Sequence, residues 1–412
     1  MVPDFLTDQS RSFNIQAGRR VVSVETRPPI PLKGTEVIFD SFGFNRQINA
    51  GIVAAGYKTP TPIQQKAIPP ILQGRDVLGL AQTGTGKTAA FVLPILHHLN
   101  KRSRGKLRAI IISPTRELAE QTHMSIGALG RQTGLRSLTI YGGVGVQPQI
   151  KGLRAGAEIA VACPGRLLDL IGQRAIDLKS IEILVLDEAD RMFDMGFLPA
   201  IRRILSTLPV QRQTLMFSAT MPKEIRSLAD EFLHRPVTVE LGASRPVETV
   251  GHAVYLVEQT RKAELLLAIL RQSGSGQVLV FTRTKYRARK LAEKLKKAGL
   301  QAASLQGNLS QNKRQEAMER FRSGLVKVLV ATDIAARGID VSQITHVINY
   351  DVPDTAIAYT HRIGRTGRMT RVGTALTFAT RDDQPMIRTI ERLLGRSLER
   401  RRLEGFETRQ SE

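Results

Sequence analysis

From about residue 39 the chain alternates short apolar, β-branched runs with longer stretches of helical periodicity, and few folds accommodate that pattern. Candidate strands cover 76–81, 109–113, 137–141, 158–162, 183–186 and 214–217. Each is apolar on both faces, as a strand in a buried parallel sheet must be. Parallel neighbours need right-handed crossovers, which lay helices over both faces of the sheet. The alternation breaks near 241–250, where Gly242-Ala243-Ser244-Arg245-Pro246 has the composition of a linker. It then restarts, with strands expected at 253–257, 278–281, 303–305, 326–330, 346–350 and 374–378. The expected fold is therefore α/β: two tandem units, each a mainly parallel sheet flanked by helices. The boundaries read as an arm at 1–36, a first unit at 37–241, a linker at 242–250, a second unit at 251–390 and a basic helix or tail at 391–412. The units share a layout but no letter-level repeat. The arm lacks periodicity and contains Arg27-Pro28-Pro29-Ile30-Pro31.

Charge narrows the partners. Sixty Lys and Arg against 37 Asp and Glu leave a net +23, which points to a polyanion, most often nucleic acid, the alternative on charge alone being a merely soluble basic surface. The excess runs through both units, so both are expected to face that partner. With 412 residues and 42% apolar content, a mainly disordered chain is excluded. No apolar run approaches a membrane span, no signal-peptide core is present, and Asp4, Asp8 and Glu25 argue against a transit peptide. A single cysteine, Cys163, excludes a disulfide framework and a cysteine zinc cluster and suits a reducing cytoplasm.

The first candidate strand runs into Ala81-Gln82-Thr83-Gly84-Thr85-Gly86-Lys87-Thr88 and then a helix. Gly84 and Gly86 permit a tight turn whose N–H groups point inward, at the positive end of the following helix. Lys87 would reach the outer phosphates of a nucleotide, and the Thr88 hydroxyl would bind Mg²⁺. A second metal ligand and a water activator are then needed. The strand at 183–186 ends in Asp187-Glu188-Ala189-Asp190, so Asp187 would hold Mg²⁺ and Glu188 would deprotonate the attacking water. The second unit offers His361-Arg362-Ile363-Gly364-Arg365-Thr366-Gly367-Arg368. Its interleaved glycines make a poor helix but suit a loop that presents guanidinium groups to phosphate. If those arginines serve the phosphate loop, hydrolysis requires the two units to close on each other.

Asp187-Glu188-Ala189-Asp190 spells D-E-A-D, and from about Phe39 to Ala379 the chain resembles the DEAD-box ATP-dependent RNA helicases. Further matching motifs, in the family's order, are Gly56 to Gln64, Pro114 to Leu118, Gly142-Gly143, Pro164-Gly165-Arg166, Ser218-Ala219-Thr220, Val280 to Thr284, Gln311 with Arg314, and Ala331 to Asp340. The resemblance implies two RecA-like domains with ATP and RNA across their cleft. It gives Gln64 the adenine edge, Tyr57 the adenine face, Phe39 a buttressing place and Asp340 the ribose. Asp190, Ser218, Thr220 and His361 would couple the ATP site to closure, with Arg365 and Arg368 as arginine fingers. Thr115, Arg116, Gly143, Gly165 and Arg166 in the first unit, and Thr282, Arg283, Thr332 and Gly338 in the second, would form an RNA track.

Aromatic residues are only 5%, with no Trp, so the expected contact is with the RNA backbone, blind to sequence, rather than by base stacking. The implied mechanism is local, non-processive strand separation by a monomer, as ATP and RNA together close the cleft. Departures from the family pattern are Cys163 where many members have Thr, Gln306 where His is commoner, and Thr360 before His361. The C-terminal residues 393–406 resemble the RhlE-like bacterial branch. Three other readings stay open: a DNA-directed helicase of the same superfamily, an ATP-controlled RNA clamp with little unwinding, and a nucleotide triphosphatase with no nucleic-acid partner.

Overall fold

A computed structural model describes residues 37–82, 84–101, 104–241, 250–272, 276–336, 343–366 and 373–406. Residues 1–36, expected as an arm, and most of the expected linker lie outside the described residues. From Ile38 onward the chain gathers into one unit that contains two sheets.

The first sheet is built from β1 (Val77–Leu80), β2 (Ala109–Ile112), β3 (Ser137–Ile140), β4 (Ile159–Ala162), β5 (Ile183–Asp187), β6 (Gln213–Ser218) and β7 (Val237–Glu240). The second contains β8 (Val250–Leu256), β9 (Gln277–Phe281), β10 (Ala302–Leu305), β11 (Val328–Ala331), β12 (Ile344–Asn349), β13 (Gly373–Ala379) and β14 (Glu399–Arg400). The spatial orders are β3-β4-β2-β5-β6-β1-β7 and β10-β11-β9-β12-β13-β8-β14. Adding seven to every label of the first gives the second, so the shared layout seen in the sequence is one topology used twice. The neighbours pair in parallel throughout.

The double-sided apolar pattern has its expected consequence. Along β5, Ile183 and Val185 enter the core on one face, while Leu184 and Leu186 enter the core on the other. A strand packed on both faces cannot slip by one residue without exchanging both sets of side chains. The helix Lys87–Asn100 is buried along most of its length and anchors the first of these cores. The sequence pattern located six strands in each sheet and missed the seventh. β7 reads VTVE, half polar because it is an edge strand beside β1. β14 corrects the reading of the segment from residue 391 as a basic helix or tail. The helix Gln384–Leu394 ends at Gly395 in the left-handed conformation, and the chain turns back to add an edge strand to β8. The expected boundary at 390/391 thus falls inside that helix.

Candidate active site

Parallel strands present their carboxyl ends along one rim, and nearly every candidate residue sits there. In the first sheet the rim divides by strand order. Behind β1, β5 and β6, which are adjacent, come the phosphate loop, Asp187-Glu188 and Ser218. Behind β3, β4 and β2, also adjacent, come Gly142-Gly143, Pro164-Gly165-Arg166 and Thr115-Arg116. The nucleotide motifs and the expected RNA motifs are therefore neighbouring stretches of one rim.

In the phosphate loop Gly84 and Gly86 have positive φ, 87° and 93°, as the expected turn requires. Lys87 is buried, and its Nζ donates to the Ala81 carbonyl at 2.9 Å. Gln82, Thr85 and Thr88 are half-buried around the turn, and Thr85 Oγ1 donates to the Gln82 carbonyl. Thr83 lies outside the described residues. Gln64 is completely buried. Its Oε1 accepts from the Thr61 N–H at 2.9 Å, and its Nε2 donates to the Gly86 carbonyl at 3.0 Å. Here it acts as a strut between the helix Pro62–Leu72 and the phosphate loop, a role the sequence did not indicate. Phe39 is buried with its ring edge-on to the partly exposed Tyr57, centroids 6.0 Å apart.

The acidic turn is buried. Glu188 adopts a left-handed backbone, φ 54°, and caps the short helix Ala189–Asp194. Its carboxylate pairs with Arg191 at 2.7 Å, both side chains being about 4% exposed. Asp187 Oδ1 is buried and has no hydrogen-bond partner. Burial pushes the Asp187 carboxyl above its usual range, against the pull of the Lys87 ammonium. Asp190 Oδ2 accepts from the N–H groups of Ala219 and Thr220 and from Thr220 Oγ1 at 2.9–3.2 Å. Ser218 Oγ accepts from the Asp190 N–H and donates to the Thr220 carbonyl. The coupling residues expected in the first unit are thus joined.

His361 lies on the helix Ala356–Ile363 of the second half, yet its charged neighbours include Arg191, Asp190 and Glu188 of the first. Burial, then Arg191, depress its pKa from 6.5 to about 4, so the ring is neutral near pH 7. A cavity of about 330 Å³ sits at this meeting, lined by Arg191 and Asp194 on one side and by His361, Arg362 and Arg365 on the other. Arg365 is 3% exposed. Arg368, Asp340 and Gly338 lie outside the described residues. Arg362 proves structural: its guanidinium grips Asp333 through Nε and Nη2 at 2.6 and 2.7 Å and donates through Nη1 to Asn349 and the Asp351 carbonyl.

On the other stretch of rim, Arg116 crosses Gly143 so closely that a Cβ there would lie 2.1 Å from Nη1. It then donates to Gln311 Oε1 beyond the second sheet's β10 at 3.1 Å. Beside it Glu117 pairs with Arg314 at 2.6 Å, both largely buried. These two contacts join helices of the two halves, and only their motifs, not their pairing, were visible in the sequence. Arg166 donates to the Val144 carbonyl, and Gly165 is exposed with open space before it. Thr115 Oγ1 caps the helix Arg116–Leu129. In the second half Thr282 is buried, its hydroxyl donating to the Thr284 carbonyl. Arg283 is half-exposed beside Asp354, and Thr332 is half-buried at the end of β11. Of the departures, Cys163 is an N-cap residue without a side-chain cap, its thiol pushed by burial to about 12 and so unreactive. Gln306 Oε1 accepts from the Asn308 N–H, and Thr360 Oγ1 donates to the Ile357 carbonyl.

Phosphate loops serve many proteins; an acidic strand end that meets a histidine and an arginine from a second sheet of the same topology narrows the class to the tandem RecA-like helicases. Comparison with known proteins agrees. Residues 61–228 match the DEAD/DEAH box helicase model, and residues 261–370 match the helicase conserved C-terminal domain model. The DEAD-box ATP-dependent RNA helicase CshA of Bacillus subtilis is 42% identical over 88% of this chain and 74% of the relative. The RNA helicase CrhR of Synechocystis is 43% identical over 84% and 70%. Among solved structures, S. cerevisiae Dbp5 bound to RNA and ADP BeF3 superposes with a TM-score of 0.79 at 31% identity, covering 88% of this chain and 95% of that one. Mss116p bound to single-stranded RNA and AMP-PNP gives 0.81 at 28% identity, covering 91% and 82%. The chain belongs to the DEAD-box family of ATP-dependent RNA helicases.

Proposed function

We propose that this protein hydrolyses ATP when RNA is bound and uses the cycle to separate short RNA duplexes locally or remodel RNA–protein complexes. The observation that carries the reading is the meeting of Asp187-Glu188-Ala189-Asp190 with His361 and Arg365. The hydrolytic carboxylates and the cation that would offset developing phosphate charge come from different sheets.

Lys87, now held by the Ala81 carbonyl, would swing to the outer phosphates of ATP, cradled by the N–H groups of residues 82–88. Asp187 fits a bound cation, since its Oδ1 is buried and without a partner. Among the described residues no three His, Cys, Asp or Glu side chains converge on a metal position. Mg²⁺ keeps waters and phosphate oxygens as ligands, and Thr88 and Asp187 would stand beside it. When bound, Mg²⁺ would neutralise phosphate charge. Glu188 would take the proton of the attacking water, its carboxylate aimed by Arg191 and by the left-handed turn. Arg365 and Arg368 would stabilise the transferring phosphoryl group. Gln64 would read the adenine edge by exchanging its hold on Gly86, so that base recognition reaches the phosphate loop directly; Tyr57 would cover the ring with Phe39 behind it, and Asp340 would meet the ribose.

RNA would lie along the second stretch of rim, its phosphates and 2′-hydroxyls met by Thr115, Arg116, Gly143, Gly165, Arg166, Thr282, Arg283, Thr332 and Gly338. Asp190, Ser218, Thr220 and His361 would transmit closure between the two stretches. The protein would work as a cytoplasmic monomer; no helix among the described residues is long and apolar enough to cross a membrane.

The test measures ATPase with RNA, with single-stranded DNA and with neither, together with displacement of a short RNA duplex. Strong stimulation by RNA alone, with displacement, is expected. Equal stimulation by DNA would overturn the RNA assignment, and hydrolysis without displacement would leave a clamp. Arg365→Ala should keep nucleotide binding and lower turnover by about 10³-fold or more.

A further inference from the structure

We propose that the exposed face of the helix Lys285–Lys297 is a second RNA-binding strip, which holds the RNA backbone where it leaves the cleft beside Thr282 and Arg283. The inference rests on the RNA reading above and extends it beyond the rim.

The helix reads KYRARKLAEKLKK: seven lysines and arginines against Glu293 alone, a net +6 out of the chain's +23. Its counterpart in the repeated topology, the helix Arg116–Leu129 behind β2, carries Arg116 against Glu117 and Glu120. The excess is thus a property of this one helix and no requirement of the fold. Ala288, Leu291, Ala292 and Leu295 form its buried face. Tyr286, Lys290, Lys294 and Lys297 then follow at helical spacing along the exposed face. Arg287 turns aside to Asp351 at 2.7 Å, Arg289 approaches Glu293 at 3.9 Å, and Lys285 donates to Asn308. Lys290, Lys294, Lys296 and Lys297 have no carboxylate partner among the described residues. A surface helix that needed only solubility would interleave both signs, as the helix Gln311–Arg322 does with Arg320 beside Glu316.

A second observation is aromatic. Tyr286 is 59% exposed in a chain with few aromatic residues, and Arg289 and Lys290 flank its ring at about 6 Å from the centroid. A ring beside two cations offers a base or ribose a stacking face and its phosphate a partner. The helix starts directly after Thr284 and runs away from the rim for about 20 Å, so a backbone leaving Arg283 meets Tyr286 first and then the lysines.

The experiment compares wild type with the triple variant Lys290→Gln/Lys294→Gln/Lys297→Gln, all surface positions, and with Tyr286→Ala. RNA-stimulated ATPase is titrated with a single strand of about six nucleotides, short enough to stay on the rim, and with a hairpin carrying the same strand as a tail. The RNA concentration for half-maximal ATPase should rise about tenfold for the tailed hairpin, with a salt slope shallower by about 2–3. It should be unchanged for the short strand, as should the rate at saturation. Tyr286→Ala should reproduce part of the shift, and Tyr286→Phe should restore it. Equal shifts on both substrates, or none, would overturn the strip. A variant that bound both RNAs normally but lost retention on immobilised polyglutamate would point instead to an acidic protein partner. Failure of the wild type to respond to the short strand would sink the RNA reading itself, independently of the strip.

Discussion

Glu188 illustrates how much one residue carries at this site. Its left-handed backbone costs a non-glycine residue roughly 1–2 kcal/mol, and the chain keeps it where the carboxylate pairs with Arg191. Glu188→Gln preserves shape and removes the proposed base. Single-turnover hydrolysis should fall by about 10²–10⁴-fold while ATP and RNA binding persist. Gly143 carries a different load. A methyl group there would collide with Arg116, so Gly143→Ala should displace the guanidinium, raise the RNA concentration for half-maximal ATPase about tenfold, and leave ATP affinity in the absence of RNA unchanged. The sequence pointed to Lys87, Asp187 and Glu188 because their motifs fix their place, Lys87 at the start of the helix after β1 and the two acids at the end of β5. It gave no sign of Arg191 and placed Arg362 with the phosphate-facing arginines rather than on Asp333, because an arginine buried by a carboxylate partner is written with the same letter as one in water.

Among elements, the strand order explains why the motifs proposed for nucleotide and those proposed for RNA alternate in sequence yet separate in space. β1, β5 and β6 end in one group and β2, β3 and β4 in another, with the β2–β5 pairing between them. The strands themselves were readable from double-sided apolarity. Two of the four edge strands were not: β7 alternates apolar and polar residues and β14 is two exposed charged residues, so neither shows that pattern. Contacts between helices were equally invisible: Glu117 and Arg314 are nearly two hundred positions apart, and only packing brings them together. Arg314→Ala leaves Glu117 buried and unpaired, so closure with ATP and RNA should weaken by at least tenfold, read as ATP-dependent RNA retention. His361 adds a pH signature. Its folded pKa is depressed, so between pH 6.5 and about 4 the unfolded chain binds a proton that the folded chain refuses. Stability should therefore fall as pH falls through that window, by about 2 kcal/mol at about pH 5, and thermal melts of His361→Gln should show a smaller acid loss.

For the molecule as a whole, +23 distributed over two lobes makes RNA affinity a salt-dependent quantity. With Arg116, Arg166 and Arg283 as the rim's guanidinium groups, binding of a short single strand should weaken with a log–log salt slope of about 2, measurable by fluorescence anisotropy. The parallel topology has a further consequence, for synthesis rather than for catalysis. β1, the first strand of its sheet to leave the ribosome, pairs only with the last two, β6 and β7; β8 likewise waits for β13 and β14. Neither half can zip shut until its own final segment has been translated. The N-terminal half therefore matures alone for roughly ten to thirty seconds before its partner is finished, and the nascent chain must keep each unpaired opening strand from associating with a neighbour in the meantime.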